Sequence, residues 1–168
     1  LIVVGNFRGD SAIAAVGATG SFISMMNCLF MGMSTGVSVL IAQRIGAKRY
    51  DQVEQAIHSA VVLSLIVGTI GSVVCVALTP AVLSLTDVPE AIFDDAVRYA
   101  RIVYLGYPAV AFYNYSAAAV RASGDTRRPL IFLTVSGVAN VVLNAILVAV
   151  FGMGVEGVAI ATAASNYL

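Results

Sequence analysis

Charge is scarce in this chain. Only 11% of its 168 residues are Asp, Glu, Lys or Arg, against 60% hydrophobic. Nine basic and nine acidic residues cancel, so no basic surface points to nucleic acid as a partner. Cysteine is nearly absent. Cys28 and Cys75 both fall inside apolar runs, which excludes a disulfide framework and reads them as small packing residues. Histidine occurs once, at His58, one turn into an apolar run, so no His/Cys set has metal-ligand spacing. Neither a Gly-rich phosphate loop nor a nucleophile–base pair is present. The chain therefore reads as no enzyme, without a cofactor and without a nucleotide domain for an ATP-driven pump.

What is present is long apolar sequence. Uncharged runs cover Ser11–Gln43, Gln55–Thr86, Ile102–Val120 and Pro129–Val155, with a last run from Gly157 to Leu168. A soluble helix needs a wet face, and a bilayer span needs about 20 apolar residues. One buried core helix accounts for a single such run, not for four. The expected fold is all-α, a polytopic transmembrane helix bundle. Its spans are expected at about 17–43, 55–80, 96–120 and 129–151, with a span ending at 1–5 and another starting at 157–168. Leu1 to Val4 reads as the last turn of a helix that begins upstream, so a larger protein is expected.

The charges cluster between the runs. Segments 44–52 and 121–128 hold six of the nine basic residues. Asp87, Glu90, Asp94 and Asp95 crowd another connection. Short cytoplasmic loops are enriched in Lys and Arg, so 44–52 and 121–128 are expected in the cytoplasm. The segments 6–10, 86–95 and 152–157 are expected outside, as in a multi-pass cell-membrane protein.

Three features stand out within the runs. Ser136, Asn140 and Asn144 are spaced by four, which places them on one helix face in the uncharged 129–155 run. An amide in hydrocarbon needs a partner, so this stripe packs against protein or lines a wet cavity. Gly20, Ser24, Cys28, Gly32 and Gly36 form a second stripe, of small residues suited to close helix packing. The third feature is the tyrosine-rich 96–120 run, where Pro108 is expected to kink the helix. Tyr107, Tyr113 and Tyr115 there are candidates to stack on an organic cation in a substrate cavity, beside the plainer reading of packing and interfacial anchoring.

Several segments resemble one family in order. Asp10-Ser11-Ala12-Ile13-Ala14-Ala15-Val16-Gly17 and Gly36-Val37-Ser38-Val39-Leu40-Ile41-Ala42-Gln43-Arg44-Ile45-Gly46-Ala47 come first. Arg121-Ala122-Ser123-Gly124-Asp125-Thr126-Arg127-Arg128-Pro129 is next. Last are Asn140-Val141-Val142-Leu143-Asn144 and Gly154-Val155-Glu156-Gly157-Val158-Ala159-Ile160-Ala161-Thr162. Together they resemble the MATE (multidrug and toxic compound extrusion) transporters over essentially the whole chain.

The resemblance implies one six-helix lobe, the N-terminal one, of a two-lobe, twelve-helix protein. The rest of that lobe's first and sixth helices and the C-terminal lobe would lie outside this chain. It also implies a secondary antiporter, which exports amphipathic or cationic organic compounds in exchange for Na⁺ or H⁺ by alternating access. In that family the cation site of this lobe draws on an acid in the first helix, an Asn and an acid in the fifth, and a Thr in the sixth. Asn140 matches the Asn and Thr162 the Thr. Asn144 stands where the fifth-helix acid is expected, and an amide neither titrates nor carries charge. The first-helix acid would fall upstream of Leu1. Two other readings stay open: a lipid-linked oligosaccharide flippase of similar architecture, disfavoured by the lack of mid-span Lys or Arg, and a non-transporting scaffold or pore subunit.

Overall fold

The computed structural model describes residues 10–85 and 88–167, with side chains described from residue 16 onward. The expected helix end at 1–5 lies outside the described residues. Among the described residues six α-helices occur in order: α1 (Asp10–Gly46), α2 (Tyr50–Leu85), α3 (Glu90–Tyr104), α4 (Tyr107–Ala122), α5 (Arg127–Ala145) and α6 (Val155–Asn166). α5 runs on into a single π-helical segment, Ile146–Val150. No strand occurs among the described residues.

Stretches Val16–Gly46, Tyr50–Leu85 and Arg127–Val150 are each long and apolar enough to cross a membrane. Their large aliphatic side chains point outward. Val62, Ile66, Ile70 and Val73 of α2 are exposed, as are Leu130, Ile131, Phe132, Leu133 and Val135 of α5. The packed face of α2 is built of small residues instead. In hydrocarbon, helix association rests on close packing rather than on expulsion of water.

The expected single kinked helix over about 96–120 is two helices, α3 and α4, broken at Leu105–Gly106. Pro108 sits in the first turn of α4, where it has no N–H to return to Tyr104 and its ring crowds that carbonyl. The chain tightens before the break, with Gly106 N–H donating to Val103 O at 2.9 Å. The carbonyl of Leu105 is taken by the Tyr167 hydroxyl of α6 at 2.8 Å. Gly106 is also closely packed: a Cβ there would lie 3.1 Å from Asn166 Nδ2 and 3.2 Å from Ala163 Cα.

α4 packs most extensively on α2 and next on α1. The buried seam of α2 is Ala56, Ala60, Ser64, Gly68 and Ser72 at four-residue steps, continued by Cys75, Thr79 and Leu83. The opposing buried residues of α4 include Ala111, Ala117, Ala118 and Ala119. The helices come close at Gly68, where an added Cβ would meet Pro108 Cα at 2.8 Å and Ala111 Cβ at 2.9 Å.

The stripe expected to pack, Gly20, Ser24, Cys28, Gly32 and Gly36, does not do so here. Ser24, Cys28, Gly32 and Gly36 are exposed, Gly20 is half-buried, and a Cβ at any of the three glycines would meet open space. α1 buries a different face, through Phe30, Ser34 and Ile41. The reason is rotational. One face of α1 is claimed by the bulky core around Phe30, Tyr104 and Tyr107, which turns the small stripe away.

Ile41 and Ile45 of α1, Val53 and Ala56 of α2, and Ala119 and Ala122 of α4 form one cluster, so the two arginine-rich turns lie at the same end. Val16, Tyr99, Val148 and Val155 form a cluster that the alternation of crossing helices puts at the opposite end. Arg98 meets Glu156 there at 3.1 Å, an exposed pair that adds little energy.

The seam makes a direct demand on Gly68. Gly68→Val in the full-length protein should destabilise the lobe by about 1–3 kcal/mol through overpacking, seen as a lower thermal unfolding midpoint. An unchanged midpoint would refute the close-packed seam.

Candidate functional site

Polar side chains gather where α5 meets α6. Asn140 Nδ2 donates to Ser165 Oγ at 3.1 Å and, more weakly, to Thr162 Oγ1 at 3.4 Å. Ser136 Oγ donates to the Ser165 carbonyl at 2.5 Å. Asn144 Nδ2 donates to Asn140 Oδ1 at 3.0 Å and to the Asn140 carbonyl at 2.9 Å. Thr162 and Ser165 spend their own hydroxyl protons on α6 carbonyls, Val158 O at 2.9 Å and Thr162 O at 3.0 Å. That leaves their oxygens free to accept from Asn140.

The four residues expected to act together, Ser136, Asn140, Asn144 and Thr162, therefore belong to one network. Ser165 is the member that sequence reasoning missed. Its signal was its position three residues after Thr162, on the same helix face, in a helix otherwise rich in Ala, Val and Gly. All of the stripe residues are half-buried and Ser165 is fully buried. Interhelical bonds of this kind are worth about 0.6 kcal/mol on average within membranes.

Asn140 turns its N–H groups, not its oxygen, toward α6. Its Oδ1 already accepts from Asn144. Among the described residues Asn144 Oδ1 accepts no hydrogen bond, so it is the open acceptor of the cluster. No group of three or more His, Cys, Asp or Glu residues capable of holding a metal occurs among the described residues. In this arrangement the cluster is a clasp between two helices. Only neutral oxygens are offered to a cation, which hard cations accept but which do not balance charge.

The tyrosines divide. Tyr107 and Tyr115 are each 1% exposed, so neither is placed to stack on a ligand in this conformation. Tyr107 packs edge-on against Phe30 at 5.3 Å between ring centroids and tilted against Tyr104 at 5.0 Å. Large planar rings fill the space beside the helix break, which is why they are core here. Of the three, Tyr113 borders a groove of about 730 Å³ between α4, α5 and the end of α6, where Asn166 and Tyr167 also line it. Its hydroxyl is held by Pro129 O at 3.0 Å.

The sequence matches the MatE family model over residues 1–146. The chain belongs to the MatE family. It is 28% identical over 170 residues to the probable multidrug resistance protein YoeA of Bacillus subtilis, covering 99% of this chain and 37% of that protein. An inward-facing structure of a multidrug resistance MATE family transporter of the MOP superfamily superimposes with a TM-score of 0.92. It is 27% identical and covers 98% of this chain and 37% of that one. An outward-facing structure of a MATE family transporter gives 0.86, at 31% identity, with 98% and 36% covered. The chain thus spans a little over a third of the length of these relatives. Members of this family are membrane transporters, not enzymes.

The Gly-Asp-Thr turn of this MatE chain has a local explanation. Gly124 takes φ +91°, open to glycine and strained for other residues. Asp125 Oδ1 accepts from the backbone N–H of Arg127 at 2.9 Å and of Arg128 at 3.2 Å, satisfying the first donors of α5.

The clasp generates its own test. Asn140→Ala removes two interhelical donors and the acceptor of Asn144, and should destabilise the full-length protein by about 1–2 kcal/mol. Ser165→Ala should lose less, since Thr162 remains. Equal, negligible losses in thermal unfolding would show that the network holds nothing together.

Proposed function

We propose that the full-length protein is a secondary antiporter that exports amphipathic or cationic organic compounds in exchange for Na⁺ or H⁺. The observation that carries this reading is the polar network on α5 and α6 in an otherwise apolar, membrane-crossing helix pair. Intramembrane polar clusters are retained mainly where ions or substrates pass. The family membership and the multidrug-resistance names of relatives point the same way. Neither the flippase reading nor the scaffold reading gains a specific observation.

Within this reading Asn140, Asn144 and Thr162 line the cation path, and Ser136 and Ser165 set the spacing of α5 and α6. Cation entry turns the Asn140 amide so that its oxygen, with Asn144 Oδ1 and Thr162 Oγ1, faces the ion. That rotation releases the α5–α6 clasp, which links ion binding to helix movement. The charge that drives coupling comes from outside this network, because every group in it is neutral. The arginine-rich turns at 44–52 and 121–128 lie on the cytoplasmic side.

Two measurements test this. Asn140→Cys in the full-length transporter, with Cys28 and Cys75 replaced by Ser, should react with a water-soluble thiol reagent from at least one side. Complete protection from both sides would sink the cation path. Asn144→Asp should give export a new pH dependence. The new carboxyl titrates, whereas the wild-type amide does not. Protonated, the variant is neutral like the wild type; ionised, the site is anionic and holds the coupling cation more tightly. A pH profile identical to wild type would place residue 144 outside the coupling route.

A further inference from the structure

Two tyrosine hydroxyls in the core play no part in the α5–α6 clasp. Tyr104 is the last residue of α3 and Tyr107 the first of α4, so they flank the break. They are 0% and 1% exposed, and neither Oη has a hydrogen-bond partner among the described residues. Their rings lie 5.0 Å apart between centroids, tilted at 54°. The walls around them are apolar: Phe22, Phe30, Ala100 and Ala111. A buried hydroxyl without a partner is costly, and phenylalanine would fill the same space without that cost. The two oxygens therefore call for a ligand.

α2 brings further polar groups to the same level. A Cβ added at Gly68 would lie 3.2 Å from the Tyr107 carbonyl oxygen, and Cys75 packs in one cluster with both tyrosines. Ser72 lies between Gly68 and Cys75 on the buried seam. Ser64 and Thr79 of that seam turn their hydroxyls back to their own helix. Ser72 makes no such bond among the described residues. Three uncommitted hydroxyls and a thiol thus collect beside the break. All are neutral, so an ion there would go unbalanced, and a small neutral ligand with both donors and acceptors fits instead. Water accepts from two hydroxyls and returns two hydrogens, and buried water bonds to groups that the protein leaves unsatisfied. Ordered waters are also among the groups that complete broken transmembrane helices.

We propose that one internal water bridges Tyr104 Oη and Tyr107 Oη across the α3–α4 break, with Ser72 Oγ of α2 as its third partner. The water ties the end of α3 and the start of α4 to the same stretch of α2. Both tyrosine oxygens are fully buried, so a segment from elsewhere in the full-length protein cannot reach them without parting these helices. This inference rests on the packing at the break and not on the proposed antiport, so the two fail separately.

The test is hydroxyl-radical labelling of the full-length protein by brief X-ray irradiation. Radicals formed from a bound water label the side chains beside it, even where bulk solvent has no access. Tyr104 and Tyr107 should be labelled at a rate comparable to that of the exposed Tyr50. Protection of both rings would overturn the proposal. Thermal unfolding gives a second reading. Tyr104→Phe and Tyr107→Phe should each lower the midpoint by about 1–2 °C. The double variant should lose no more than the larger single loss, because either change releases the same water. A higher midpoint in either single variant would overturn the proposal, by showing that the wild-type hydroxyls are unsatisfied. Additive losses would do so as well, since they mean separate partners. Coupled losses without labelling would point to a direct bond between the two tyrosines, which also overturns it. The labelling of the wild type stands even if a variant does not fold.

Discussion

The close approach of α2 to α4 at Gly68 sets the positions of most of the other elements. With no side chain there, the α4 backbone at Pro108 comes within van der Waals reach, and the seam extends along Ala60, Ser64 and Ser72. Once α4 is seated this way, the break at Leu105–Gly106 lies in the middle of the lobe. The Leu105 carbonyl at the break then faces α6, and Tyr167 takes it. α6 is anchored on that side by Tyr167 and the tight contact at Gly106, and on the other by Ser136 and Asn140. A packing contact between small residues thus fixes the geometry of a polar site on different helices.

The second governing constraint is the need of polar groups for partners where water is excluded. Hydroxyls along the helices turn back to their own carbonyls, as Ser34 does to Met31, Ser64 to Val61 and Thr79 to Cys75. Those bonds satisfy the group but join nothing. The α5–α6 network differs because Asn140 has two donors and reaches across. Asn114 and Asn144 spend their amides within their own helices, whereas Asn140 faces α6 and bonds to it. That is the physical difference between the many inert hydroxyls of this lobe and the few residues proposed to line the cation path.

Much of this was legible in the sequence. Segregated charge marked the membrane-crossing runs and the clustering of arginines at one end, and four-residue spacing placed Ser136, Asn140 and Asn144 on one face. Two departures are instructive. The stripes Gly20–Gly36 and Ala56–Ser72 have the same spacing and similarly small residues, yet only the second packs in this structure. Spacing states that a face is smooth, not which neighbour arrives. Pro108 marked a disturbance, but its extent was settled by residues distant in the chain: Ala163 and Asn166 pack against Gly106, and the Tyr167 hydroxyl takes the Leu105 carbonyl at the break.

The sequence by itself determined the features set by composition and local periodicity: membrane-crossing helices, polar faces, charged turns and the family. These depend on transfer to hydrocarbon and on the fixed period of the helix, and both are written into neighbouring residues. Tertiary structure alone decided which small face was buried, that Tyr107 and Tyr115 belong to the core, and that Ser165 completes the clasp with Asn140. Those outcomes depend on the rotation of each helix about its axis, set by the sum of contacts from residues distant in the chain. No window of sequence contains that sum.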